Sequence, residues 1–149
     1  MFDYLIDQGW YSAVIVLVAL GLTVLISQFI KFLRNPGLKN VLLRDGGMPS
    51  THAAIIGSVL CGIFCTNGFS MTFVLGCAIG LIILRDASGV RYAVGENAKV
   101  LKNIVPASQK GRVIVDEGHR FGQIAVGFVL GVVISLIMLL VAGVPIFYV

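Results

Sequence analysis

Two histidines, His52 and His119, are the side chains in this sequence whose unperturbed pKa lies near neutrality. Asp86 and Arg91 fall between them. Two imidazoles, a carboxylate and several cations suit hydrolysis of a phosphoryl ester. One imidazole attacks phosphorus, held in the right tautomer by a carboxylate, while the other protonates the departing oxygen. Arg and Lys side chains hold the charge on the phosphoryl oxygens. Asp86 stands at the end of an apolar run, so a partner is expected among Arg91, Arg85, His52 and His119.

His52 belongs to the stretch Gly46-Gly47-Met48-Pro49-Ser50-Thr51-His52-Ala53-Ala54, where a basic loop meets an apolar run. Gly46 and Gly47 allow a free turn and close approach to a ligand. Pro49 suits a first helical turn. Ser50 and Thr51 can cap that turn or donate to an anion, and the helix start favours phosphate. Gly47, Ser50, Thr51, Arg91, Lys31 and Arg44 are thus the candidate phosphate-binding residues. The same residues also fit an ordinary turn and cap, with Lys31 snorkelling to the interface, the histidines as interfacial side chains and Asp86–Arg85 as a structural pair.

These groups need positioning, and the composition says by what. In 149 residues, 58% are hydrophobic and 12% charged, with a mean hydropathy of +0.98. A soluble domain carries about 25% charged residues. The chain is expected to be one integral membrane domain over residues 1–149, all-α, a polytopic bundle of about four transmembrane helices plus an interfacial helix. Spans are expected at about Tyr11–Leu33, Ser50–Cys65, Phe69–Leu84 and Gln123–Val144, the first long enough for a bilayer core of about 30 Å. The middles of all four are apolar. Residues 95–118 are polar and amphipathic, which suits an interfacial helix and a loop.

Small residues recur at Ala53, Gly57, Cys61 and Cys65, at Gly76 and Gly80, and at Gly127, Gly131 and Ser135, allowing close helix contact in lipid. Cys61, Cys65 and Cys77 read as packing residues, with no metal-ligand spacing. No cleavable signal peptide is expected, because the first apolar run ends at Lys31 and Arg34.

Every Lys and Arg lies in the two loops after the first and third spans, or at the helix ends beside them. The net charge of +4 therefore reads as a topology signal and an attraction to anionic lipid, with no nucleic-acid partner. Both basic loops are expected to be cytoplasmic and both termini outside. His52, Asp86, Arg91 and His119 then share one membrane depth at the cytoplasmic boundary.

The blocks from Gly46 to Ala53, then Asp86-Ala87-Ser88-Gly89-Val90-Arg91, then Gly118-His119, resemble the signature of the divergent branch of the type 2 phosphatidic acid phosphatase family. The similarity runs from about Gln28 to Gly131. The resemblance implies a helical membrane phosphatase, with His52 as the acid, His119 as the nucleophile and no metal. Thr51 departs from the Gly of the broader superfamily. Gln123 stands where the divergent branch carries an acidic residue, which would pass the orienting of His119 to Asp86, Asp116 or Glu117. The superfamily's six-span core is shortened here to about four, which a homodimer could complete.

The expected substrate is a lipid phosphate monoester at the cytoplasmic leaflet, of the phosphatidylglycerophosphate or phosphatidate kind. A metal-dependent variant would hold Mg²⁺ on Asp86, Asp116 and Glu117. The competing readings are a small transporter or channel subunit with an Asp/His proton path, and a non-catalytic lipid-binding protein.

Overall fold

The computed structural model describes residues 2–34, 47–113, 115 and 118–146, with side chains from Gly9 onward. Among the described residues, five α-helices carry the fold: α1 (Phe2–Arg34), α2 (Thr51–Asn67), α3 (Met71–Arg85), α4 (Arg91–Ile104) and α5 (Phe121–Val141). This is an all-α membrane bundle. Among the described residues, three helical stretches are long and apolar enough to cross a bilayer: Gly9–Arg34, Met71–Ile104 and Phe121–Val141. The fourth apolar helix, α2, has 17 residues, about 26 Å at 1.5 Å per residue.

Each helix end follows from its local residues. The Ser50 hydroxyl accepts from the Ala53 N–H at 3.4 Å and starts α2. Ser70 does the same for α3, accepting from the Phe73 N–H at 3.3 Å. Pro49, expected in the first turn of α2, instead sits just before the cap. Helix α1 starts at Phe2, ahead of the expected Tyr11, since nothing before Gly9 breaks it. Helix α5 ends before the expected Val144, because Gly143 takes φ 65°. There the N–H groups of Gly143 and Val144 return to the carbonyls of Leu140 and Leu139 at 3.1 and 3.0 Å. Leu139 and Val144 pack together beneath that turn.

Helix α2 sits among α1, α3 and α5. It runs parallel to α5, since Ser50 meets Gln123 at one end and Cys65 meets Leu139 and Val144 at the other. A Cβ on Gly131 would strike the Ala54 carbonyl, one on Gly127 the Ser50 carbonyl, and one on Gly57 the Phe128 carbonyl. The two backbones are in contact, as small residues permit in lipid. Gly76 and Gly80 admit Leu60 and Ile56 in the same way, at 3.0 and 2.9 Å from an added Cβ. Helix α1 packs antiparallel: Gly62 of α2 abuts Val16, and the Tyr11 hydroxyl donates to the Ala142 carbonyl at 2.9 Å.

Apolar middles are expected for all four spans, but α1, α2 and α5 bury hydroxyls there. Thr23, Ser27, Ser58 and Ser135 are fully buried. The Thr23 hydroxyl donates to the Ala19 carbonyl at 2.7 Å. Ala19, Thr23, Ser27 and Lys31 recur every four residues, so hydropathy averaging hides a buried polar stripe on α1.

Candidate functional site

Three distant segments meet at the end of the bundle opposite the Tyr11–Ala142 contact. Ala53 of α2, Ala87 beyond α3 and Ile124 of α5 form one buried cluster, with Leu84 and Phe128 against it. The Ser50 N–H donates to the Gln123 carbonyl at 3.2 Å, tying the start of α2 to the first turn of α5. The His119 N–H donates to the Ala87 carbonyl at 3.1 Å, tying the last segment to the end of α3.

Asp86–Val90 continues α3 into α4 as a wider π-helical turn, in which the Arg91 N–H reaches the Asp86 carbonyl five residues back. Five residues on an α-helix point well apart, whereas a π turn aligns them. The Arg91 Nε accordingly donates to the Asp86 Oδ2 at 2.8 Å. Of the partners considered for Asp86, Arg91 is the one met, in a half-exposed pair. From the sequence the third span is expected to end near Leu84 and the amphipathic segment to begin at residue 95; in the structure the helix runs on from α3 through the π turn into α4 without interruption.

His119 is 2% exposed. Its neighbour Gly118 lies against backbone: an added Cβ would stand on the Tyr92 N and Cα. That close approach threads residues 118–120 beneath the π turn. His52, in the first turn of α2, is half-buried. Gly80 lies against Ile56 and Leu84 packs on the cluster that holds Ala53, so the register sets His52 level with the end of α3, where Asp86 begins.

Of the candidate phosphate-binding residues, Gly47 takes φ 99°, which glycine tolerates. Ser50 is fully buried, its hydroxyl used as the cap. The Thr51 hydroxyl is shielded from solvent and finds no hydrogen-bond partner among the described residues. Lys31 is 9% exposed, on the packed side of α1 and not splayed toward lipid. Arg44, Gly46, Asp116 and Glu117 lie outside the described residues. Gln123 has a local role: its side-chain Oε1 accepts from the Arg120 N–H at 2.9 Å and caps α5. Glutamine and glutamate serve equally well in that position.

A cleft opens beside the His119 segment, which sequence reasoning missed. Gly47, Gly118, Arg120 and Gln123 form one wall, and the first two turns of α4 form the other. Both sequence neighbours of His119 line it. The signal was present in Tyr92, Gly95, Glu96 and Lys99, spaced i, i+3, i+4 and i+7, which marks one helix face. No group of three or more His, Cys, Asp or Glu suited to a metal occurs among the described residues.

A family model described as the divergent PAP2 family matches residues 11–134. The chain is also 33% identical over 67 residues to YuiD, an uncharacterized membrane protein of Bacillus subtilis (strain 168). That alignment covers 44% of this chain and 42% of YuiD, so the chain spans less than half the length of the curated relative it matches. No solved structure matches it.

Proposed function

Because the chain belongs to the divergent PAP2 family, we propose that it is a membrane phosphatase acting on a lipid phosphate monoester. The observation that carries this reading is the meeting of the His52, Asp86–Arg91 and His119 segments around Ala53, Ala87 and Ile124. Ionisable groups placed at the end of apolar spans are costly unless they serve a site or pair. Here they come from three regions far apart in sequence.

In this mechanism the His119 imidazole attacks phosphorus and the P–O ester bond breaks. His52 gives its proton to the departing alcohol oxygen. Water, deprotonated by His52, then cleaves the phosphohistidine and releases phosphate. Arg91, held by Asp86, and the N–H groups around Gly47 stabilise the phosphoryl oxygens. The positive-inside rule sets this end of the bundle at the cytoplasmic leaflet, with both termini outside. Phosphatidylglycerophosphate and phosphatidate present their phosphates at that depth.

The test is phosphate release by the purified protein in detergent from both lipids. His52→Ala and His119→Ala should each lower kcat at least about 10²-fold, the usual worth of a positioned acid–base or nucleophilic group. Retained turnover in both variants, with unfolding temperatures matched to the wild type, overturns the reading.

A further inference from the structure

The cleft beside His119 is built from features that the two-histidine mechanism does not use. On α4, Val94, Leu101 and Ile104 are exposed on the side opposite Tyr92, Gly95, Glu96 and Lys99. As the continuation of α3, in a helical stretch of 34 residues about 51 Å long, the turns from Tyr92 to Lys99 emerge from a hydrocarbon core of about 30 Å into the headgroup layer. The polar side, turned the other way, closes the cleft at the depth of lipid headgroups.

The cavity measures about 50 Å³. At roughly 10–15 Å³ per water it holds about four waters, room for the anionic oxygens and a hydroxyl of a headgroup whose remainder extends out of the open side of the cleft. Gly95 is buried and Gly47 has no side chain to fill the space. The lining is strongly polar and carries two cations, Lys99 and Arg120, and one carboxylate, Glu96. Lys99 Nζ donates to Glu96 Oε1 at 3.0 Å, which holds that carboxylate on the cleft side of α4.

Cations of this kind hold the oxygens of a phosphate. An ionised carboxylate only accepts hydrogen bonds, so it selects a ligand that brings an O–H. A bare phosphate would set its own charge against Glu96, and a quaternary ammonium headgroup would face two cations.

We infer that the cleft is a subsite for a hydroxylated, phosphate-bearing headgroup of an anionic membrane lipid. Glu96 and Lys99 read the hydroxyl and Arg120 holds the anionic oxygen. Its role in turnover rests on the phosphatase reading, through the shared Gly118–Arg120 wall; its binding does not. The site thereby favours a phosphate carried on a polyol headgroup over a phosphatidate, which has no headgroup hydroxyl.

The experiment measures equilibrium binding of sn-glycerol 3-phosphate and of inorganic phosphate to the detergent-solubilised protein. The glycerol ester should bind at least about tenfold more tightly, as expected for one added hydrogen bond to a charged acceptor. Glu96→Gln and Lys99→Gln, both at half-exposed positions that should not disturb folding, should each reduce that preference to within about threefold. Micelles doped with phosphatidylglycerol should compete with the probe, and phosphatidylcholine micelles should not. Equal affinity for the two probes, or a preference intact in both variants, overturns the subsite. Failure of phosphatidylglycerol to compete overturns its assignment to a lipid. Absent phosphatase activity with the preference intact supports the subsite and refutes the catalytic reading; turnover without the preference refutes the subsite alone.

Discussion

Gly118→Ala tests how tightly the His119 segment is threaded under the π turn. A Cβ there would stand on the Tyr92 backbone and 2.6 Å from the Arg91 carbonyl carbon, where ordinary contact begins near 3.4 Å. Backbone on both sides leaves no flexible side chain to yield, so residues 118–120 must retreat by about 1 Å. The hydrogen bond from the His119 N–H to the Ala87 carbonyl, 3.1 Å in the wild type, lengthens beyond use. Overpacking costs about 1–3 kcal/mol and the lost bond about 1 more. A displacement of about 1 Å at a reacting group costs on the order of 10² in rate. Thermal unfolding in detergent and phosphate release should therefore fall together. Gly122→Ala, where an added Cβ meets nothing within 4 Å, is the matched control. Wild-type stability and activity in Gly118→Ala would refute the close threading and the role built on it.

Gly131→Ala drives a Cβ into the Ala54 carbonyl and should destabilise the bundle by about 1–3 kcal/mol in a thermal or denaturant titration, whereas Gly21→Ala, in open space, should not destabilise it. Gln123→Ala removes the cap on Arg120 and should cost about 1 kcal/mol in the same titration; Gln123→Glu should retain it. Asp86→Asn and Arg91→Gln should each lower turnover of a lipid phosphate about tenfold or more while shifting stability by less than about 1 kcal/mol, because their pair is half-exposed. Under the proposed two-histidine mechanism phosphate release should survive excess chelator; loss on chelation and rescue by Mg²⁺ would replace that mechanism with a metal-assisted one.

Much of the architecture is legible in the sequence. Runs of apolar residues mark the spans, and the one-sided placement of Lys and Arg predicts that His52, Asp86 and His119 share an end of the bundle. The Gly127, Gly131 and Ser135 stripe marks the face of α5 that α2 meets. Other features depend on tertiary packing, which periodicity does not encode. The stripe read on α2 included Ala53, which in the structure turns toward Ala87 and Ile124, while Ala54 and Ser58 take the contact with Gly131. Ser88-Gly89 marks a weak point in the helix, but nothing local to the sequence sets the i to i+5 alignment of Asp86 with Arg91. The buried Thr23, Ser27 and Ser58 were masked by their apolar neighbours in any averaged window. Gly118 read only as part of a motif, yet its missing Cβ is what admits the Tyr92 backbone.

Trapping the covalent intermediate tests the central claim most directly. Wild-type protein mixed with a lipid whose phosphate monoester carries a radiolabel, then quenched in alkali, should show label on one peptide, the one containing His119. The same experiment with His119→Ala should show none. No label on the wild type during turnover, or label that persists in His119→Ala, would contradict the assignment of that imidazole as the nucleophile.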